Sequence, residues 1–224
     1  MHAESPSPRA TNTIVVRPMV FADLDFATRL HLQYLNHGLF PALGSGFLKA
    51  YLRTFITSPS AIASIAERNG KPGGFLVGTL DDRSHYGHTI RRCGLGLALR
   101  GLIGLCVRPR VAYRFIKTRA FRYARGAVRL AGTQPTQAPS SRDAVLTHMA
   151  VVPTARSVGV GKKLAETFAA QVSESNANGV ALTTRAGAAG ASGFYEKLGW
   201  CPVTEFVDRD GLAWQRFRLD LSHS

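Results

Sequence analysis

VLTHMAVVPTARSVGVGKKLAETF, residues Val145 to Phe168, carries a strand pattern into a glycine-rich turn and out into an amphipathic helix. That order makes an anion site. Gly159 and Gly161 tolerate a tight turn with bare amides, the free N–H groups and the dipole of a helix start favour negative charge, and Arg156, Lys162 and Lys163 add cations nearby. The turn is therefore expected to hold a phosphorylated cofactor. Two common phosphate motifs fail here. A P-loop needs a Gly five residues before its Gly-Lys pair and Ser or Thr after it, where this chain has Arg156 and Lys163. A dinucleotide fingerprint needs a third Gly or Ala three residues after the second, where Leu164 stands.

Downstream, Val160, Leu164, Phe168 and Val172 recur at four-residue spacing until Asn178-Gly179, the pattern of a helix with one buried face. Val180 to Thr184 reads as a strand, Ser192 to Leu198 as a short helix, and Val203 to Val207 with Ala213 to Leu219 as a hairpin through Asp210-Gly211. Upstream, Thr13 to Arg17 reads as a strand and Asp23 as the cap of a helix bearing Phe26, Leu30 and Tyr34. Beyond Gly44 to Gly46, the stripe Phe47, Leu48, Tyr51, Leu52, Phe55, Ile56 marks a second helix. Ala61 to Glu67 and Gly74 to Leu80 read as a hairpin turning at Asn69-Gly70-Lys71-Pro72. This succession predicts an α/β fold with helices on a mixed central sheet.

With 224 residues, the chain suits one domain at 13–224 behind a disordered tail at 1–12, rich in Ser, Pro and Thr. The tail lacks the basic start and apolar stretch of a signal peptide, and no run reaches the roughly 18 apolar residues of a spanning helix. Cys93, Cys106 and Cys201 form no Cys-x-x-Cys pair, so a disulfide framework or zinc site is not indicated. A soluble, cytoplasmic protein without a metal is the expectation. The formal charge of +14 is concentrated: residues 91 to 129 hold eleven Arg and Lys, and the remaining 17 cations against 14 acids leave +3. This basic insertion, at about 84–141, is expected to form two helices broken at Pro109, with a Pro- and Ser-rich return at Gly132 to Ser141.

The turn from Arg156 through Ser157, Val158, Gly159, Val160 and Gly161 resembles motif A of the GCN5-related N-acetyltransferases. That motif is a strand ending in Ala-Val, then Arg or Gln, two variable residues, Gly, any residue, and Gly or Ala. ASGFYEKLGW, Ala191 to Trp200, resembles the family's motif B, with Ala188 where an Asn often stands. The resemblance implies the GNAT acyl-CoA N-acyltransferase fold and transfer of an acetyl group from acetyl-CoA to an amine. It also implies roles. Arg156 to Lys162 would hold the pyrophosphate, and the backbone of Met149, Ala150 and Val151 would position the pantetheine arm and supply an oxyanion donor. Tyr195 would protonate the leaving thiolate. The plain alternative for Tyr195 is a core tyrosine.

The general base stays open. His148 lies on the central strand, sharing a face with Ala150 and not with Met149, and a structural role competes with a catalytic one. His31, His37 and Glu67 come from segments that line the acceptor cleft in this family, and bulk water is a further choice. The segment His31 to Phe55 is similar to acetyltransferases found with bacterial surface-glycan assembly, which implies an amino-sugar acceptor on a nucleotide or lipid carrier. For Arg91 to Arg129 three occupants compete: an anionic membrane surface, nucleic acid, or the domain itself and a second subunit, as in a homodimer. A non-enzymatic protein that binds through this segment is the rival to a transferase.

Overall fold

The computed structural model describes residues 13–115, 143–175, 177–187, 190–208 and 211–221. Its elements are β1 Ile14–Pro18, a 3-10 turn Phe21–Asp23, α1 Leu24–Tyr34, α2 Leu39–Ala42, α3 Ser45–Thr57, β2 Ala61–Arg68, β3 Lys71–Thr79, α4 Asp82–Cys106 and α5 Pro109–Phe115. There follow β4 Asp143–Val151, α6 Pro153–Arg156, α7 Val160–Ser173, β5 Gly179–Arg185, α8 Ser192–Lys197, β6 Cys201–Val207 and β7 Ala213–Asp220. The described strands form one mixed sheet in the order β1-β2-β3-β4-β5-β7-β6, antiparallel except where β4 meets β5. This is the α/β sandwich expected from the sequence.

Each sheet face has its own apolar core. α7 lays Val160, Leu164, Phe168 and Val172, all buried, over Leu76, Leu146 and Phe217. On the opposite face α1 and α3 bring Leu30, Leu48, Leu52 and Phe55 against Ile65, Phe75 and Val77. Burying one such side chain stabilises the fold by roughly 1.5–3 kcal/mol before entropy is charged. Gly78 on β3 is glycine for room: a Cβ there would lie 2.5 Å from the Phe168 ring.

Four local readings change. Asp23 does not cap α1 through its side chain; its carboxylate accepts the N–H of Val20 at 2.9 Å and pairs with Arg17 at 2.7 Å, tying the start of α1 to β1. The expected four-residue hairpin turn is two residues, Asn69-Gly70, both at positive φ, so Lys71 and Pro72 already belong to β3. The short helices α2 and α6 carry too few residues for a period to register in the sequence. The first basic helix starts early, at Asp82, because Asp81 caps it by accepting the N–H groups of Arg83 and Ser84.

α4 meets the domain through its glycines, with Gly104 packed on the Leu43 carbonyl and Gly101 beside Phe47. The break before Pro109 falls where expected, and α5 follows it. The tail at 1–12, residue 188 and the segment 116–142, which holds Arg119, Arg122 and Arg125, lie outside the described residues.

Candidate active site

β4 and β5 stay in register only from Asp143 opposite Gly179 to Leu146 opposite Leu182, although β4 runs on to Val151 and β5 to Arg185. The strands then part around a cavity of about 940 Å³. The other edge of β4 explains the parting. Val77 faces His148 and Gly78 faces Leu146, so Thr147 is an extra residue, and such a bulge bends and twists its strand. The bulge also exchanges faces. Leu146 packs with the α7 core, and beyond the bulge Met149 and Val151 take that side, while His148 and Ala150 turn toward α1 and α3.

Opened strand edges leave backbone groups without sheet partners. Val152 donates its N–H to Gly73 on the β3 side at 2.9 Å, and successive residues of a strand direct these groups to opposite edges. The amides and carbonyls of Met149 and Val151 therefore face the gap. Arg156 Nε donates to the Val151 carbonyl at 3.1 Å, and its guanidinium lies 4.5 Å from the centre of the Tyr34 ring. Arg156 thus braces the end of β4 against α1.

The glycine turn closes this end of the cavity. Gly159 stands at φ +92 as the residue before α7, a conformation that costs other residues roughly 1–2 kcal/mol, and no side chain caps the helix. The first amides of α7 are consequently bare of intrahelical acceptors. Gly161 serves differently: it lies inside the helix, where a Cβ would meet Phe194 at 3.3 Å and Val151 at 3.5 Å. Met149, Ala150, Val151, Arg156 and Gly161 line the cavity. Ser157, Val158, Gly159 and Val160 form the turn without lining it, and Lys162 points away to Glu166 at 3.7 Å. Val160 is a core residue, fully buried.

Tyr195 enters from α8 and lines the cavity with its ring held among Phe194, Trp200 and Phe217 at centroid distances of 5.1, 5.6 and 6.0 Å. It is 5% exposed, and burial raises its hydroxyl well above the ordinary phenol value. The phenol keeps its proton throughout the neutral range.

Across the sheet, α1 and the segment after it supply His31, Tyr34, His37 and Phe40 to the same cavity. His31, 2% exposed, meets His148 edge to face at 4.6 Å, and Tyr51 stands 5.8 Å from His148. Both nitrogens of His31 and Nε2 of His148 lack a hydrogen-bond partner. Burial lowers His31 to about 4, and burial with the neighbouring His31 lowers His148 to about 3, so both rings are neutral at pH 7. Glu67 is a correction: it does not line the cavity, and its carboxylate pairs with Arg17 at 2.8 Å on the β1–β2 pair. Sequence reasoning missed Arg185 and Trp214, which line the cavity as register partners on β5 and β7. Period-2 alternation continued one residue past Thr184 was the available signal for Arg185.

A sheet parted between two parallel strands, with strand backbone open along the gap and a bare helix start at its end, is the architecture of an acyltransferase that uses a phosphate-bearing carrier. Residues 108–221 match the family model described as an acetyltransferase (GNAT) domain. That match spans half of the chain, so the protein belongs to the GNAT acetyltransferases, and acetyl-CoA is its co-substrate.

Solved structures share the fold at low identity. One is described as the histone acetyltransferase HPA2 and related acetyltransferase from Corynebacterium glutamicum (15% identity, 94% of this chain and 98% of that one, TM-score 0.57). A polyamine N-acetyltransferase from Drosophila melanogaster aligns over 93% of this chain and 100% of its own at 16% identity, TM-score 0.54. NAA60 of Arabidopsis thaliana, solved with acetyl-CoA, covers 93% and 99% at 13% identity, TM-score 0.54. No curated protein matches the chain. Among the described residues, no cluster of His, Cys, Asp and Glu suits a metal ion, and no helix is long and apolar enough to cross a membrane.

Proposed function

We propose that the protein transfers the acetyl group of acetyl-CoA to the amine of a small molecule entering from the α1–α2 side of the cleft, with an amino sugar on a nucleotide or lipid carrier as the acceptor class. The observation that carries this reading is one continuous cavity, lined at one end by the strand backbone and glycine turn and at the other by His31, His37 and His148. The pyrophosphate lies on the amides between Arg156 and Lys162, and the pantetheine arm follows Met149 to Val151. A bare amide of β4 donates to the thioester oxygen, a contact commonly worth about 2.7–4 kcal/mol to the transition state. The amine attacks the thioester carbon, the C–N bond forms, the C–S bond breaks, and the Tyr195 hydroxyl gives its proton to the leaving sulfur. His148, a neutral imidazole on the strand that holds the thioester, orients the amine by accepting its N–H, and the proton that the amine loses passes to solvent in the cleft.

Turnover against a panel of simple amines, amino sugars and peptides, read by thiol release, tests the reading. Acetylation of amino sugars ahead of peptides supports it. Acetyl-CoA binding with no transfer to any amine would turn the protein into a binding module of the same fold.

A second contact, with an anionic membrane surface, is supported by α4. Leu95, Leu99, Leu102 and Ile103 are exposed, Leu95 to 88%, and Leu95 lies half a turn around the helix from Gly104, which faces the domain. The apolar side of α4 thus faces outward, flanked by exposed Arg91, Arg92 and Arg100. A helix of this kind lies in a lipid interface with its cations among head groups. A second copy of the chain would oppose like charges, since residues 83–142 contain no acid. Co-sedimentation with anionic vesicles, weaker on neutral ones and reduced by Leu95→Ser with Leu99→Ser, is the expected result. Tighter binding to RNA than to vesicles, or a salt-stable dimer, would remove the lipid surface as occupant.

A further inference from the structure

We infer that the acceptor carries an anionic group, a phosphate or carboxylate, near its amine, and that Arg185 binds this group with His37 as a positioning residue. The inference rests on the proposed acetyl transfer and narrows its acceptor.

Alternation along β5 sets the direction of Arg185. Val180 and Leu182 pack into the α7 core, and Thr184 Oγ1 accepts the N–H of Ala191 on that same side. Arg185, one residue on, therefore turns to the α1 side. There its Nη1 lies 3.1 Å from His37 Nε2, in the segment that follows α1. The glycine turn leads into α7 on the opposite face, and Arg156, the other arginine of the cavity, is engaged by the Val151 carbonyl and the Tyr34 ring.

Arg185 differs from the arginines the fold uses for structure. Arg17 is held by Asp23 and Glu67, and Arg218 by Asp143 and Asp220. Among the described residues Arg185 has no carboxylate partner, and its Nε is buried without a hydrogen-bond acceptor. A buried guanidinium donor left unsatisfied is costly, and a planar fork of donors suits a phosphate or carboxylate.

Among the described residues, the cavity lining contains no Asp or Glu. In the sequence, residues 116–142 and 188–189 hold none either. A polycationic amine would bring charge into a pocket with two arginines and no carboxylate among its described residues, which desolvation opposes. An amine bearing an anion brings its own balance. Its anion meets Arg185, and its nitrogen meets His31 and His148, where each neutral ring has one nitrogen to accept N–H.

The test compares kcat/KM, by thiol release, for acceptors sharing one amine: an amino sugar with its phosphate ester and its nucleoside diphosphate, and an amino acid with its amide. The charged member should lead by roughly ten- to a hundredfold, as for a charge-assisted pair, and the two arms separate phosphate from carboxylate. Arg185→Gln should bring the charged member down to its neutral partner while the thermal shift with acetyl-CoA stays. Arg185→Lys should keep part of the preference, and His37→Ala should raise KM for the charged acceptor with kcat little moved. Equal or better use of diaminobutane, a preference that survives Arg185→Gln, or an equal loss of acetyl-CoA affinity in that variant would overturn the assignment. If acetyl-CoA binds and no amine is acetylated, acetyl transfer itself fails. Calorimetric binding of the phosphorylated amino sugar to CoA-loaded parent and Arg185→Gln then decides, and equal affinities overturn the site.

Discussion

The two ends of the cleft are made of different material. At the cofactor end the groups on offer are backbone: amides of Met149 and Val151 along an opened strand edge and the bare start of α7 behind Gly159. At the acceptor end they are side chains drawn from α1, the segment after it, β4, β5 and β7, namely His31, His37, His148, Arg185 and Trp214. Backbone recognition survives most substitutions and suits a co-substrate that does not change. Side-chain recognition can be altered one residue at a time without disturbing the turn proposed to hold the carrier. The contrast predicts that cofactor binding fails through shape and acceptor use fails through chemistry.

Gly161→Glu should break the cofactor end outright. Its Cβ would meet Phe194 and Val151, and its carboxylate would repel a phosphate, so the thermal stabilisation by acetyl-CoA should vanish. Arg156→Ala should lower that stabilisation without removing it, because the amides remain; the reverse ranking in a thermal-shift series would show that side chains, not backbone, hold the cofactor.

Tyr195→Phe comes next. Turnover under conditions where chemistry limits the rate should fall by about a hundredfold to ten-thousandfold, with acetyl-CoA affinity little changed. Unaltered kcat would return Tyr195 to the core it already helps to pack.

The histidine pair gives a pH signature that the cofactor end lacks. His31 is lowered to about 4 in the fold against an ordinary value near 6.5, so between those values the unfolded chain binds the extra proton. Stability is complete above about pH 6.5 and falls as the pH drops toward 4, by about 3 kcal/mol for this one group. Denaturant titrations from pH 7 to 4 should show a smaller slope in His31→Phe than in the parent; parallel curves would mean that His31 is not held neutral by burial.

The smallest effect is expected away from both ends. Glu67→Gln loosens an ion pair that is partly exposed, worth about 1 kcal/mol or less, and should leave kcat/KM alone. A large loss of turnover would draw β2 into the acceptor site after all.

Much of the fold is legible in the sequence, for a local reason. Val160, Leu164, Phe168 and Val172 declare one buried face at helical spacing, Asn69-Gly70 declares the place of a hairpin turn though not its length, and both signals are complete within a few residues. The cofactor turn is legible for the same reason, since a helix start and its glycines are contiguous in the chain. Elements too short to show a period, α2 and α6, are not.

The chain by itself therefore determined the strand–turn–helix proposed to hold the phosphate and the short helix that carries Tyr195. Only the tertiary structure decided where β4 bulges at Thr147, since a bulge is a mismatch between two strands and exists in neither alone. The same holds for the acceptor end. His31 and His148 are 117 positions apart and meet at 4.6 Å, and His37 reaches Arg185 from 148 positions away, contacts that packing creates and no local pattern announces.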